Sequence, residues 1–134
     1  MNAHASTPAT WQSAVGEQLP ELATPPEGWN TINVAASCSK FLEQASRQAN
    51  HEALRRVLNI ILLLERTAGE DETLVYAVQD ILRRTIESAK LREQFTSVLN
   101  ARTFGQLAGY IEYVSSREVV AEMSGVVGLR KRGA

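Results

Sequence analysis

The sequence contains one cysteine, two histidines and no long apolar run. Because Cys38 has no partner for an internal disulfide, the composition fits a reducing compartment. The longest aliphatic run, at residues 60–64, is far shorter than the roughly 20 apolar residues that cross a bilayer. The first ten residues carry no Lys or Arg and no apolar core, so they do not predict a secretory signal. We expect a cytoplasmic protein that makes no contact with a membrane.

An excess of charge of one sign is also missing. The chain has 14 Lys and Arg against 15 Asp and Glu, which gives a net charge of -1. No overall field therefore attracts nucleic acid or an anionic membrane surface. What the sequence does have is 44% hydrophobic residues in a length of 134. That content is enough for one buried core, and the length is too short for two ordinary domains.

Groups that carry catalysis or bind metals are scarce. The His and Cys residues that zinc sites usually use number only three, His4, His51 and Cys38, and they show no zinc-binding spacing. A cysteine nucleophile needs a nearby base, and His51 is the one candidate for Cys38. The alternative for Cys38 is a small buried residue in a helix. We predict no catalytic residue, no metal site and no cofactor, and a protein that is not an enzyme.

Apolar residues recur at helical spacing along most of the chain, and no segment alternates with the period of a strand. This pattern predicts an all-α fold, a compact bundle of five or six helices with antiparallel helical hairpins. The small polar residues 1–10 predict a flexible N-terminal tail, and residues 125–134 predict a basic C-terminal tail. Between them, residues 11–124 form a single helical domain that contains a Pro-rich linker at 23–28.

Residues that cap helices mark where several of these helices begin. Asn30 or Thr31 can cap one helix and Asn50 the next, and Thr103 can cap a later one. Asp71 starts the helix between them, with acidic residues in its first turn, where the helix dipole favours them. The helix after Asn50 has an unusually broad apolar stripe and should lie at the centre of the core. The stripe consists of Leu54, Val57, Leu58, Ile61, Leu62 and Leu64. Since it is wider than one neighbour would cover, we also expect a homodimer through it.

The hairpin of residues 51–88 followed by residues 89–115 resembles the helix pairs of HEAT-like proteins. In the lengths and spacing of its helices, this region is also similar to small uncharacterised bacterial all-helical domains, which include immunity-type proteins. The resemblance rests on helix lengths and spacing, without a diagnostic motif. It implies stacked helical hairpins and carries no functional residues onto this sequence.

The two signs of charge lie at opposite ends of the predicted hairpin. Acidic residues surround its turn, and arginines lie toward the opposite end. The acidic residues are Glu70, Asp71 and Glu72, and the arginines are Arg55, Arg56, Arg83 and Arg84. Both groups are candidate contacts for a partner. The alternative is that they are solvated, with Glu52 and Asp80 each placed four residues before an arginine to form ion pairs along one helix.

Aromatic residues are few and provide a second set of candidate contacts. Tyr110 and Tyr113 share a helix, and their spacing indicates that at least one of them points outward. Trp11 and Trp29 flank the Pro-rich linker, where they either bind a partner or pin the linker to the core.

These features favour a non-enzymatic helical module that binds another protein, as an immunity protein, adaptor or regulatory subunit. The alternative function is a nucleic-acid-associated regulator. It would use the arginine end of the hairpin together with Arg130, Lys131 and Arg132 in the basic tail.

Overall fold

A computed structural model describes residues 10–69 and 71–133 of the chain. Within these residues the fold is all-α, as predicted, and contains no strand. It has seven α-helices where the sequence predicted five or six, together with two short 3-10 turns, Pro20–Leu22 and Pro26–Gly28. The helices are α1 (Thr10–Gln18), α2 (Thr31–Arg47), α3 (His51–Ala68), α4 (Glu72–Glu87), α5 (Ala89–Val98), α6 (Ala101–Val114) and α7 (Arg117–Gly133).

The beginnings of α2 and α3 confirm the caps predicted from sequence, and α4 begins directly after Asp71, where a helix start was predicted. The side chain of Asn30 accepts hydrogen bonds from the backbone N–H groups of Ile32 and Asn33. In turn, Oδ1 of Asn33 accepts a hydrogen bond from the backbone N–H of Asn30, which completes a capping box. Asn50 and Asp71 cap α3 and α4 in the same manner. Each cap satisfies donors that the first turn of a helix leaves unpaired.

Helix α3 is the centre of the core, with α1, α2, α4 and α5 packed around it. Every member of its apolar stripe is buried, from Leu54 to Leu64. Helices α3 and α4 form the predicted antiparallel hairpin. Since neighbouring helices of the same chain cover the stripe, it offers no exposed surface for the homodimer that we expected through it.

The N-terminal segment of the described chain, residues 11–29, packs on the core. Trp11 and Val15 of α1 and Leu19, which directly follows it, are buried at the predicted spacing of four. Trp29 is also buried, and its backbone carbonyl accepts a hydrogen bond of 2.6 Å from Nε2 of Gln12. Both tryptophans therefore pin the linker to the helices. Residues 1–9, most of the predicted N-terminal tail, lie outside the described residues.

Two helix boundaries differ from those predicted. The cap of α6 is Asn100, whose Oδ1 accepts from the backbone N–H of Thr103, so Thr103 lies in the first turn. The backbone of α7 continues through Gly125 to Gly133, across most of the segment that we assigned to a basic tail. A glycine inside a helix costs only about 1 kcal/mol, and the buried Met123 and Val127 offset that cost by packing.

We find no helix in the described part of the chain with the length and hydrophobicity that crossing a membrane requires.

Candidate functional site

The most apolar of the surface depressions described is a groove between the beginning of α2 and the length of α4. Its floor consists of small side chains, because Ala35 and Ala77 are buried and Ala36 lies beside them. The groove encloses about 410 Å³, which lies within the range of pockets that bind ligands or side chains. Alanines at this position leave space that larger residues would fill.

Two large apolar side chains stand at the sides of this groove and face solvent. Ile32 of α2 is 82% exposed, and Tyr76 of α4 is 61% exposed. Both side chains remain exposed in the fold, so burial in the core does not account for either residue. An exposed isoleucine and an exposed tyrosine across an alanine floor form a surface that a second apolar side chain can cover. We call this surface the α2–α4 groove.

Charged and hydroxyl groups line the polar parts of the α2–α4 groove. Arg84 and Asp80 form an ion pair along α4, with 3.4 Å between Nε and Oδ1. This is one of the pairs that the sequence predicted. Near the start of α4, Thr73 donates a hydrogen bond of 2.6 Å to Oδ1 of Asp71. This hydrogen bond, followed by those from backbone N–H groups, lowers the pKa of Asp71, which is therefore ionised at neutral pH.

Arg56, one of the predicted partner contacts, is bound within the fold. Its Nη1 donates to Oε1 of Glu21 at 2.9 Å and to the backbone carbonyl of Gln18 at 3.0 Å. Its guanidinium also lies 5.3 Å from the ring centroid of Phe41, within the range of a cation–π contact. The predicted pair with Glu52 forms as well, at 3.8 Å. Arg56 therefore fastens the N-terminal segment to α3.

The four predicted arginines have different surroundings in the fold. Arg56 is held by Glu21 and Arg84 lies in the α2–α4 groove. Arg55 and Arg83 are exposed, and neither forms an ion pair with any of the described residues. Arg84 is exposed as well but is paired with Asp80, so Arg55 and Arg83 are the two of these four arginines that are both exposed and free of an ion pair with the described residues.

The other predicted contacts are distributed over the surface. Asp71 and Glu72 are exposed at the start of α4, and Glu70 lies outside the described residues. Tyr113 is 73% exposed, as the spacing predicted for at least one tyrosine of this helix. Tyr110 is partly buried, and burial, followed by the negative charge of Glu65, raises its pKa. The two tyrosines lie on α6, away from the lining of the α2–α4 groove.

Cys38 is a core residue. Its side chain is fully buried in α2, and burial raises the pKa of the thiol to about 12. The thiol is therefore protonated at neutral pH and shielded from solvent, whereas His51 is exposed at the first position of α3. This environment fits the structural role of Cys38 and not that of a nucleophile, which must form a thiolate. The residues described contain no group of three or more His, Cys, Asp or Glu side chains that could hold a metal ion.

Ile32 and Tyr76 were not among the contacts predicted from sequence. A signal for them was present, because each is a large apolar residue outside the periodic stripe of its helix. The stripes locate the core, and the large apolar residues that they omit are the ones left to face solvent.

We compared the chain with models of known protein families, with curated proteins and with solved structures, and none of the three comparisons found a match. The expected resemblance to HEAT-like pairs thus has support only at the level of a small all-helical domain.

Proposed function

We propose that this chain is a helical protein-interaction module, which binds a partner protein in the α2–α4 groove and acts without catalysing a reaction. The observation that supports this role is the pair of exposed side chains, Ile32 and Tyr76, on either side of the alanine floor. Tyrosine is enriched among residues that dominate binding energy, and helices commonly dock into grooves between two other helices. Such a module works by occluding a surface of its partner or by holding two proteins together.

The roles of immunity protein, adaptor and regulatory subunit all belong to this proposal. They differ in the identity of the partner and share the requirement for a rigid binding surface. Burial of α3 among four other helices supplies that rigidity, because α2 and α4 are both anchored on it. The alternative role in binding nucleic acid has less support, because only Arg55 and Arg83 of the four arginines are exposed and unpaired among the described residues.

Photocrosslinking in cells of the natural source tests the proposed function. A benzophenone amino acid replaces Ala36 in the α2–α4 groove, and in a control chain it replaces Tyr113, which is exposed on α6. We expect a discrete protein adduct from position 36. A second substitution, Ile32→Asp, should remove that adduct because it places a charge where an apolar side chain must dock.

The control chain separates a specific contact from collisions in the cell. Adducts from position 113 should be spread over many proteins without a dominant species, and Ile32→Asp should not change them. If position 36 gives no adduct, or an adduct that persists in Ile32→Asp at equal protein level, the α2–α4 groove is not the binding surface and the proposal is wrong.

A further inference from the structure

The connection between α1 and α2, residues 19–30, folds back over α1. Nε2 of Gln12 in α1 donates to the backbone carbonyl of Trp29, which directly precedes the cap of α2. Contacts between α1 and the turn Pro26–Gly28 belong to the same return of the chain. The chain therefore reverses within residues 19–25, and the conformation of this short stretch determines where α1 lies.

One residue of this stretch has a strained backbone. Ala23 follows the turn Pro20–Leu22 with a φ of 52° and a ψ of 30°, in the left-handed helical region. This conformation is costly for a residue with a side chain, because Cβ comes too close to the following carbonyl oxygen. The backbone N–H of Ala23 donates to the carbonyl of Pro20 at 3.0 Å and holds the turn closed. The folded-back connection thus stores strain that an extended connection would release.

Prolines in the connection favour the extended alternative. Pro25 and Pro26 follow Ala23 closely, and each proline disfavours a helical conformation at the residue before it. Proline-rich linkers adopt extended polyproline II structure. No side chain from position 20 to position 28 is buried, so straightening this part of the connection removes none of its own side chains from the core.

The contacts of α1 do not depend on which copy of the chain supplies it. We call residues 10–22 the arm. The arm meets α3 through the packing of α1 and through the ion pair of Glu21 with Arg56. Both contacts join residues before Ala23 to residues after it. Two copies that traded their arms would therefore form the same contacts again.

We infer that two copies of this chain exchange their arms, so that α1 of each copy packs on α3 of the other and the connection is extended at Ala23. Such domain swapping replaces contacts within one chain by identical contacts between two chains. Association costs entropy, and the relief of strain in two connections offsets part of that cost. The exchanged dimer is therefore favoured at high protein concentration, and the single copy with its own arm at low concentration.

This dimer is distinct from the interactions considered above. The homodimer expected from sequence needed an exposed stripe on α3, whereas arm exchange needs only the contacts that already bury it. No residue of the arm lines the α2–α4 groove, so exchange of the arm does not rest on the proposed function.

Reversal of the charges at Glu21 and Arg56 tests for the exchanged dimer. Within one copy, Glu21→Arg opposes two arginines and Arg56→Glu opposes two glutamates. When the two variants are unfolded in urea and refolded as a mixture, opposite charges meet only if the arms are exchanged. We expect a heterodimer with a higher melting temperature than either variant refolded alone. Size-exclusion chromatography with light scattering measures its mass.

Two controls accompany the mixture. A chain with both Glu21→Arg and Arg56→Glu restores opposite charges within one copy, so it should gain stability without mixing. A mixture of Glu21→Arg with Arg55→Glu carries the same net charges, but Arg55 forms no ion pair with the described residues. That mixture should give no gain in melting temperature.

Two alanines with the same backbone conformation allow a second test that leaves the contacts of the arm intact. Ala23 lies in the connection and Ala49 in the turn between α2 and α3, with φ of 52° and 51°, and both are exposed. Glycine adopts this conformation without strain. Ala23→Gly should therefore raise the dissociation constant of the dimer about tenfold. Ala49→Gly relieves the same strain elsewhere and should leave that constant unchanged.

Valine at the same two positions should act in the opposite direction. A β-branched side chain is strongly disfavoured at positive φ, so Ala23→Val should lower the dissociation constant of the dimer and Ala49→Val should not. Equal effects of glycine at both positions would show that the connection does not control association and would overturn arm exchange. A mixture of Glu21→Arg and Arg56→Glu that stays monomeric, or a wild type that remains monomeric at every concentration tested, overturns it as well.

Discussion

Arg56 and Glu21 meet through two parallel contacts, 2.9 Å between Nη1 and Oε1 and 2.8 Å between Nη2 and Oε2, although 35 residues separate them in the chain. The planar fork of a guanidinium matches the two oxygens of a carboxylate, a geometry that lysine cannot reproduce. The pair fixes the turn Pro20–Leu22 against α3. It is the polar counterpart of the apolar contacts that hold α1 in place.

The substitution Arg56→Lys should therefore lower the melting temperature, although it preserves the charge. Lys cannot keep both oxygens of Glu21 and the carbonyl of Gln18 in contact or lie flat over Phe41. Hydrogen exchange should accelerate for the backbone amides of residues 18–29, the part of the N-terminal segment that Arg56 holds. The neighbouring Arg55→Lys is the matched control, and an equal loss of melting temperature in both variants would contradict the role of Arg56.

Acid should weaken the same contact. The hydrogen bond from Arg56 is the largest cause that lowers the pKa of Glu21 from its ordinary value of 4.5. The ionised form of Glu21 is therefore favoured in the fold, and its contribution to stability is fully present above about pH 4.5 and lost as the pH falls through the lowered value. The wild type should exceed Glu21→Gln in stability at neutral pH, and the difference should vanish in strong acid. Urea unfolding across this pH range measures it.

Cys38 should resist alkylation in the folded protein. Burial and a pKa of about 12 leave neither access nor thiolate near neutral pH. Modification by iodoacetamide should be slow without denaturant and should accelerate in step with unfolding as urea is added. Rapid modification of the native protein, at the rate of a free thiol, would show that Cys38 is exposed.

Two alanine substitutions test whether Asn100 or Thr103 caps α6. Oδ1 of Asn100 accepts from the backbone N–H of Thr103 at 2.8 Å, and Thr103 Oγ1 accepts from the backbone N–H of Asn100 at 2.9 Å. We expect Asn100→Ala to lower the free energy of unfolding by about 1 kcal/mol and Thr103→Ala to lower it less. The exposed Arg102→Ala is the control. A larger loss in Thr103→Ala would restore Thr103 as the cap.

Phe95 should be among the most costly residues to truncate. It is fully buried on α5, which contacts α2, α3, α4 and α7. Phe95→Ala removes a ring from the point where these helices meet, and the expected loss of unfolding free energy is about 3 to 5 kcal/mol. Tyr113→Ala, an aromatic truncation on the surface, should change stability by less than about 0.5 kcal/mol. Chemical denaturation compares the two.

Features that depend on neighbours in sequence were predictable. Asn30, Asn50 and Asp71 cap helices through contacts within three residues, so the sequence contains both partners of each hydrogen bond. The broad stripe of α3 likewise predicted the central helix. The end of α7 was not predictable from its glycines, because the packing of Met123 and Val127 on other helices decides whether the helix continues.

Features that depend on which helices become neighbours were not accessible. Glu21 lies in a proline-rich segment, and nothing near it in sequence indicates that it meets Arg56. The α2–α4 groove exists because Ala35 and Ala77 come together on helices that α3 separates in sequence. The sequence thus predicted charged residues of α4 as candidate contacts, a prediction that stays open, and it did not reveal the apolar groove between α2 and α4.

The position of α1 beside α3 has a consequence for anyone who shortens this protein. Gln18 and Ala14 line a hollow with Ile60 and Leu63, so α1 acts as a cover for that flank of the central helix. A fragment that starts at Asn30 lacks α1 and would expose the apolar side chains of this flank to solvent. We expect this fragment to self-associate at concentrations at which the whole chain does not. Adding α1 back as a separate peptide should reverse the self-association.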